Sequence, residues 1–162
     1  MGICAEELRQ WVIKPTLKRI GQYSKAAENL LIATAAQESQ LGEHIKRQGQ
    51  RGLGIYQINS LAHRHIWDDY LAQRPDLASV VRGLASQRDF LNHPHTELAT
   101  NLCYATAIAW LMYSRHENFE LPNVDDAESM AKCWKRYFHP KTTVSLQDFI
   151  DSYHHYEMEE AA

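Results

Sequence analysis

At 162 residues, with 44% hydrophobic and 23% charged side chains, the chain is long enough to bury a core and too apolar to be a disordered segment. A formal net charge of −3 leaves no basic excess for gripping a phosphate backbone, which argues against a nucleic-acid partner. No apolar run reaches the roughly 20 residues that a membrane-spanning helix requires, so no membrane insertion is expected.

The segment Met1–Glu7 is neither basic nor followed by an apolar stretch, so no signal peptide is expected. From Glu6 to about Ile20 the apolar positions Leu8, Trp11, Val12, Leu17 and Ile20 predict two short helices, or one kinked at Pro15. Ser24 is placed to cap the next helix, Glu28 lies in its first turn, and Gly42 offers its stop. Residues 43–60 lose the helical period. Gly49, Gly52 and Gly54 crowd together there and Leu53 alternates with Ile55, which predicts a small β element near residues 52–58. Helices are expected again from about Ala62 to Leu71 and from Leu77 to Leu91, with a break at Pro75.

The stretch from Thr96 to Arg115 is apolar on most sides and predicts the central buried helix. Asp125 or Asp126 caps a further helix with the stripe Ala127, Met130, Trp134 and Tyr137, stopped by His139-Pro140. Ser145 with Asp148 starts a last helix carrying Leu146, Phe149, Ile150 and Tyr153. Cys4, Cys103 and Cys133 are an odd number without paired spacing; Cys103 and Cys133 fall in apolar helical patterns and are expected as buried thiols. With no repeat and no linker, residues 1–162 read as one mainly α domain.

One residue stands out chemically. Counting back from Glu38 in helical steps gives Ala35, Thr34, Leu31 and Ala27, so this carboxyl shares a face with apolar side chains at the last turn of its helix. Lost solvation and the negative end of the helix both disfavour a charge there, so its pKa is expected to rise, as suits a proton donor near neutral pH. A Glu at a helix end whose head simply reaches solvent fits the same position.

The segment Ala35-Ala36-Gln37-Glu38-Ser39, followed by Gly54-Ile55-Tyr56-Gln57-Ile58, resembles the lytic transglycosylase branch of the lysozyme superfamily. In that branch a catalytic Glu-Ser pair ends a helix and a Gly-Leu-Met-Gln-like segment lies across the cleft. Here Ile55-Tyr56 stand where Leu-Met is usual. Asn101-Leu102 through Trp110-Leu111 also looks like the helix that follows that segment, and the likeness covers roughly residues 27–60 and 96–138. The family's Ala-Tyr-Asn segment has its nearest counterpart in Arg136-Tyr137-Phe138, where Phe138 replaces Asn.

The resemblance implies a lysozyme-like fold over residues 1–162, with Glu38 as catalytic acid/base. It makes Ser39, Gly54, Tyr56, Gln57 and Tyr137 the substrate-binding residues. Tyr56, beside glycines, is the expected sugar-stacking surface, whereas Trp134 and Tyr137 read by spacing alone as core aromatics.

The implied reaction needs one carboxyl. It protonates the leaving oxygen of a MurNAc–GlcNAc β-1,4 bond, then takes the proton of the C6 hydroxyl, which closes on C1 as a 1,6-anhydro ring. A lysozyme-type hydrolase would need a second carboxylate, for which Asp68, Asp69 and Glu43 are the candidates. A lysozyme fold kept as a virion structural or glycan-binding module is the reading from another class.

No cofactor is implied, and no metal is expected. The histidine pairs His63/His65, His93/His95 and His154/His155 lack the i, i+4 helical spacing with a nearby Glu, and read as surface or loop residues. The expected partner is the peptidoglycan glycan strand, with virion proteins as candidate partners. A phage-associated protein made in the cytoplasm and acting on periplasmic peptidoglycan fits the unexported N-terminus.

Overall fold

The computed structural model describes residues 1–161, with side chains up to Glu157. The chain is 65% helix and 1% strand, which makes it mainly α. In chain order the α-helices are α1 (Ala5–Leu8), α2 (Lys14–Arg19), α3 (Lys25–Ser39), α4 (Ser60–His65), α5 (Pro75–Leu84), α6 (Asp89–Asn92), α7 (Glu97–Thr100), α8 (Leu102–Ser114), α9 (Ala127–Cys133) and α10 (Leu146–Ala161). No helix among the described residues is long and apolar enough to cross a membrane.

Helices α3 and α8 form the centre. Almost every side chain from Ala27 to Ser39 and from Tyr104 to Tyr113 is buried, so both helices are enclosed on all sides rather than packed on one face. They are tied where Tyr113 Oη meets Thr34 Oγ1 at 2.7 Å. The Thr34 hydroxyl already donates to the Leu30 carbonyl at 2.6 Å, so Tyr113 is the donor. α10 packs along α3 and α9, and its Phe149 ring stacks on Trp134 with centroids 5.2 Å apart.

Several boundaries differ from expectation, each for a local reason. α3 starts at its cap as expected, Ser24 Oγ accepting from the Ala27 amide at 3.1 Å. It ends before Gly42, because Gln40 and Leu41 already take left-handed backbone, with φ 52° and 56°. Pro15 neither breaks nor kinks the first helix. The chain widens into a π-turn over Arg9–Ile13 and resumes as α2, with Pro15 in the first turn, where its missing N–H costs little. Pro75 likewise opens α5, which ends at Leu84 and not near Leu91.

The expected single helix from Thr96 to Arg115 is two. Asn101 is extended, caps α8 by accepting from the Tyr104 amide at 3.0 Å, and donates to the Leu84 carbonyl at 2.8 Å and to Glu97 at 2.9 Å. The β element shrinks to one bridge, in which Leu53 and Ile58 exchange amide hydrogen bonds of 3.0 and 3.2 Å. Asp126, not Asp125, caps α9, accepting from the Ser129 amide at 3.0 Å. Cys103 and Cys133 are half-buried free thiols instead of fully buried ones.

Candidate active site

α3 ends inside the protein, and its last two residues make different kinds of contact. Ser39 is fully buried. Its hydroxyl donates to the Ile55 carbonyl at 2.5 Å and accepts from the Gly42 amide at 2.8 Å. It therefore clamps the end of α3 to the turn at residues 53–58. Glu38, 8% exposed, directs Oε1 at two nitrogens: the Trp134 indole N–H donates to it at 3.0 Å, and His139 Nδ1 lies 2.9 Å away. Oε2 has no hydrogen-bond partner among the described residues.

The chain delivers Trp134 and His139 together through a third π-turn, Trp134–Phe138, after those at Arg9–Ile13 and Ile66–Tyr70. The His139 amide donates to the Trp134 carbonyl at 2.9 Å, an i→i+5 bond that stacks position 139 near position 134; an α-turn would swing them apart. Pro140 then excludes helical backbone at His139, which sits at φ −133°, ψ 67° and folds its ring back over the helix end. The hydrogen bond from Glu38 raises the imidazole pKa above its ordinary value; burial opposes this and the carboxylate charge adds to it.

The remaining expected site residues are engaged inside the fold. Tyr56 is not an exposed platform: it is 0% exposed, and its hydroxyl donates to Thr106 Oγ1 at 2.8 Å, the Thr106 hydroxyl itself donating to the Leu102 carbonyl. Gly54 is buried. A Cβ there would sit 1.7 Å from the Leu98 carbonyl oxygen, so this glycine, at φ +80°, admits the chain's own α7.

Gln57 takes left-handed backbone at φ 51°, and its amide donates to the Ile45 and Gly54 carbonyls, each at 2.8 Å. It closes the preceding loop, and its Oε1 is buried without a partner. Tyr137 donates to the Asn118 carbonyl at 3.1 Å and packs its ring against His116 and Phe119, so its polar end is used away from Glu38. The residue of that segment that reaches Glu38 is His139. In the sequence His139 reads only as a helix stop, and the proline after it is the available signal.

None of the three candidate second carboxylates partners Glu38. Asp69 binds His65 at 2.7 Å in an exposed pair, Asp68 is exposed, and Glu43 pairs with the N-terminal amine at 2.9 Å. Two cavities, of about 830 and 390 Å³, are lined respectively by the N-terminal arm with Arg9 and Tyr156, and by Pro122, Cys133 and Tyr137; Glu38 lines neither.

His63 is not a surface residue. It is 1% exposed. Trp67 donates to Tyr104 Oη at 2.8 Å, Tyr104 Oη is hydrogen-bonded to His63 Nε2 at 2.6 Å, and His63 Nδ1 lies 2.8 Å from His95 Nδ1. Burial, then His95, lowers the His63 pKa to about 4, so the ring is neutral at pH 7. Among the described residues no group of three or more His, Cys, Asp or Glu stands together as a metal site.

No protein-family model, curated protein or solved structure matches the chain.

Proposed function

We propose that the protein is a peptidoglycan lytic transglycosylase that cleaves the MurNAc–GlcNAc bond with Glu38 as its single acid/base. One observation carries this reading. Glu38 ends a buried helix with one oxygen held by two N–H groups, and among the described residues no hydrogen bond goes to the other. Oε1 is thereby fixed in direction, and Oε2 is the oxygen that would carry the proton to the leaving group and later receive the C6 hydroxyl proton. Among the described residues the polar partners of Glu38 are Trp134 and His139 and no carboxylate, which suits intramolecular capture by O6 better than activation of water. The lysozyme-like fold, the glycan strand as partner, and a phage setting with virion proteins belong to the same proposal and rest on the sequence resemblance.

Mass spectrometry of the products released from purified peptidoglycan tests it. Muropeptides ending in 1,6-anhydro-MurNAc are expected. Reducing-end products would instead mean hydrolysis, with Asp68 and Asp69 as the next residues to replace.

A second reading has its own support. Neither cavity is lined by Glu38, and Ser39, Gly54 and Tyr56 are buried, as suits a structural or glycan-binding module without turnover. Glycan binding by the wild type without any released product would favour it.

A further inference from the structure

The chain is net acidic at −3, yet residues 44–67 carry Lys46, Arg47, Arg51 and Arg64 and no Asp or Glu. Three of these cations fall in one loop, and that loop adjoins the end of α3. We propose that loop 44–52 is a docking site for carboxylates, and that it takes those of the peptide stems carried by the MurNAc residues of the glycan. This rests on the transglycosylase reading above.

The loop is fastened beside Glu38. The His44 amide donates to the carbonyl of Ser39, the residue after Glu38, at 3.2 Å. Across the base of the loop the Gly54 amide donates to the Ile45 carbonyl at 2.8 Å. The Gln57 side-chain amide adds bonds to the His44 and Ile45 carbonyls at 3.2 and 2.8 Å. At the tip the Gln50 amide donates to the Arg47 carbonyl at 3.2 Å, in a turn whose third residue, Gly49, has φ 77°. Lys46 Nζ donates to the Gln50 carbonyl, which sets the ammonium beside the peptide unit leading into Arg51. Local hydrogen bonds therefore gather the three cations.

What the loop lacks is an anion. Among the described residues no ion pair joins Lys46, Arg47 or Arg51 to a carboxylate. Lys46 and Arg51 are exposed. Arg47 is half-buried, its Nε shut away from solvent without a hydrogen-bond partner. A guanidinium whose stem is packed in this way loses little rotamer freedom when its terminal nitrogens bind an anion, and a carboxylate fits their spacing. Three like charges in so short a loop also raise a local positive potential, which an arriving carboxylate relieves.

The occupant follows from the chemistry of the proposed substrate. The sugars themselves bring only hydroxyl and acetamido groups, so the negative charge of the strand sits on its peptide stems. Each stem hangs from a MurNAc, the sugar whose C1 is captured by its own O6. Its carboxylates therefore travel with the bond that Glu38 cleaves, and a cationic loop fastened to Ser39 is placed to meet them.

The test is co-sedimentation with purified peptidoglycan, either intact or with its stem carboxylates converted to amides. Wild type is compared with the triple variant Lys46→Gln, Arg47→Gln, Arg51→Gln, its folding checked by Tm. Amidation is expected to weaken wild-type binding about tenfold at low salt, and the variant should bind intact peptidoglycan about tenfold more weakly than wild type. The variant should lose nothing further on amidated material. In product release its KM should rise by the same factor, with kcat within about twofold. Equal binding of intact and amidated peptidoglycan by the wild type overturns the proposal, and so does a folded variant that binds the intact form as wild type does. Binding seen only on peptidoglycan that retains phosphate-bearing wall polymers also overturns it. Carboxylate-dependent binding by a wild type that releases no anhydro-muropeptide would remove the transglycosylase reading and leave the docking site standing, so the two failures are distinguishable.

Discussion

Acidification should unfold this protein through His63 before it protonates most carboxylates. The ring is 1% exposed and neutral in the folded state, with a pKa of about 4 against the ordinary 6.5. Between those two values the unfolded chain binds a proton that the folded chain refuses, so stability rises with pH across that window and falls as pH drops through it. At 1.36 kcal/mol per pH unit the full difference is about 3 kcal/mol, of which about 2.5 kcal/mol is expressed between pH 7.5 and 4.5. His95, whose pKa is lowered by burial and by Arg64, adds to the loss with the same sign. The assay is urea unfolding at those two pH values for wild type and His63→Gln. Glutamine loses hydrogen bonds at both pH values but cannot be protonated. The stability difference between the two proteins should therefore shift by about 2.5 kcal/mol towards the variant on acidification. Parallel pH dependences would refute the reasoning.

Three further substitutions test the packing that positions Glu38. Gly54→Ala places a methyl group against the Leu98 carbonyl in left-handed backbone, and should cost at least about 2 kcal/mol by denaturant unfolding. Glu28→Gln removes the buried carboxylate that lies 3.2 Å from Arg9 Nη1 and 2.7 Å from Lys25 Nζ. A loss of about 3–5 kcal/mol, read as a lowered Tm, is expected. Tyr56→Phe removes the hydroxyl bonded to Thr106 and should cost about 1 kcal/mol while leaving the KM for glycan unchanged; a raised KM would mean that Tyr56 meets sugar after all.

The caps and the apolar runs were legible because they depend on neighbours in sequence. Ser24 and Asp126 act where their positions promised, and the stripe of Ala127, Met130 and Trp134 is buried as spacing requires. The π-turns were not legible. A widened turn repeats the composition of an α-turn, yet each brings in a polar network: Arg9 to Glu28, Trp67 to Tyr104, and Trp134 with His139 to Glu38.

Tyr56 misled for a tertiary reason. Glycines suggest an exposed ligand loop, but Gly54 allows Leu98 to approach, and that approach buries the turn. Asn101 interrupts an apolar run because its side chain finds Leu84 and Glu97, which are distant or unremarkable in sequence. Of the candidate site, the burial of Glu38 was legible from its helix face, while its chemical role was suggested by the resemblance of the segments at 35–39 and 54–58. His139 was hidden because its contact spans 101 residues.

The most direct test of the central claim compares wild type with Glu38→Gln on purified peptidoglycan, with products identified by mass spectrometry and folding checked by Tm. The expected result is anhydro-muropeptides from the wild type and none from the variant, which still binds the glycan and melts as a folded protein. Equal release of muropeptides by a folded Glu38→Gln protein would contradict it.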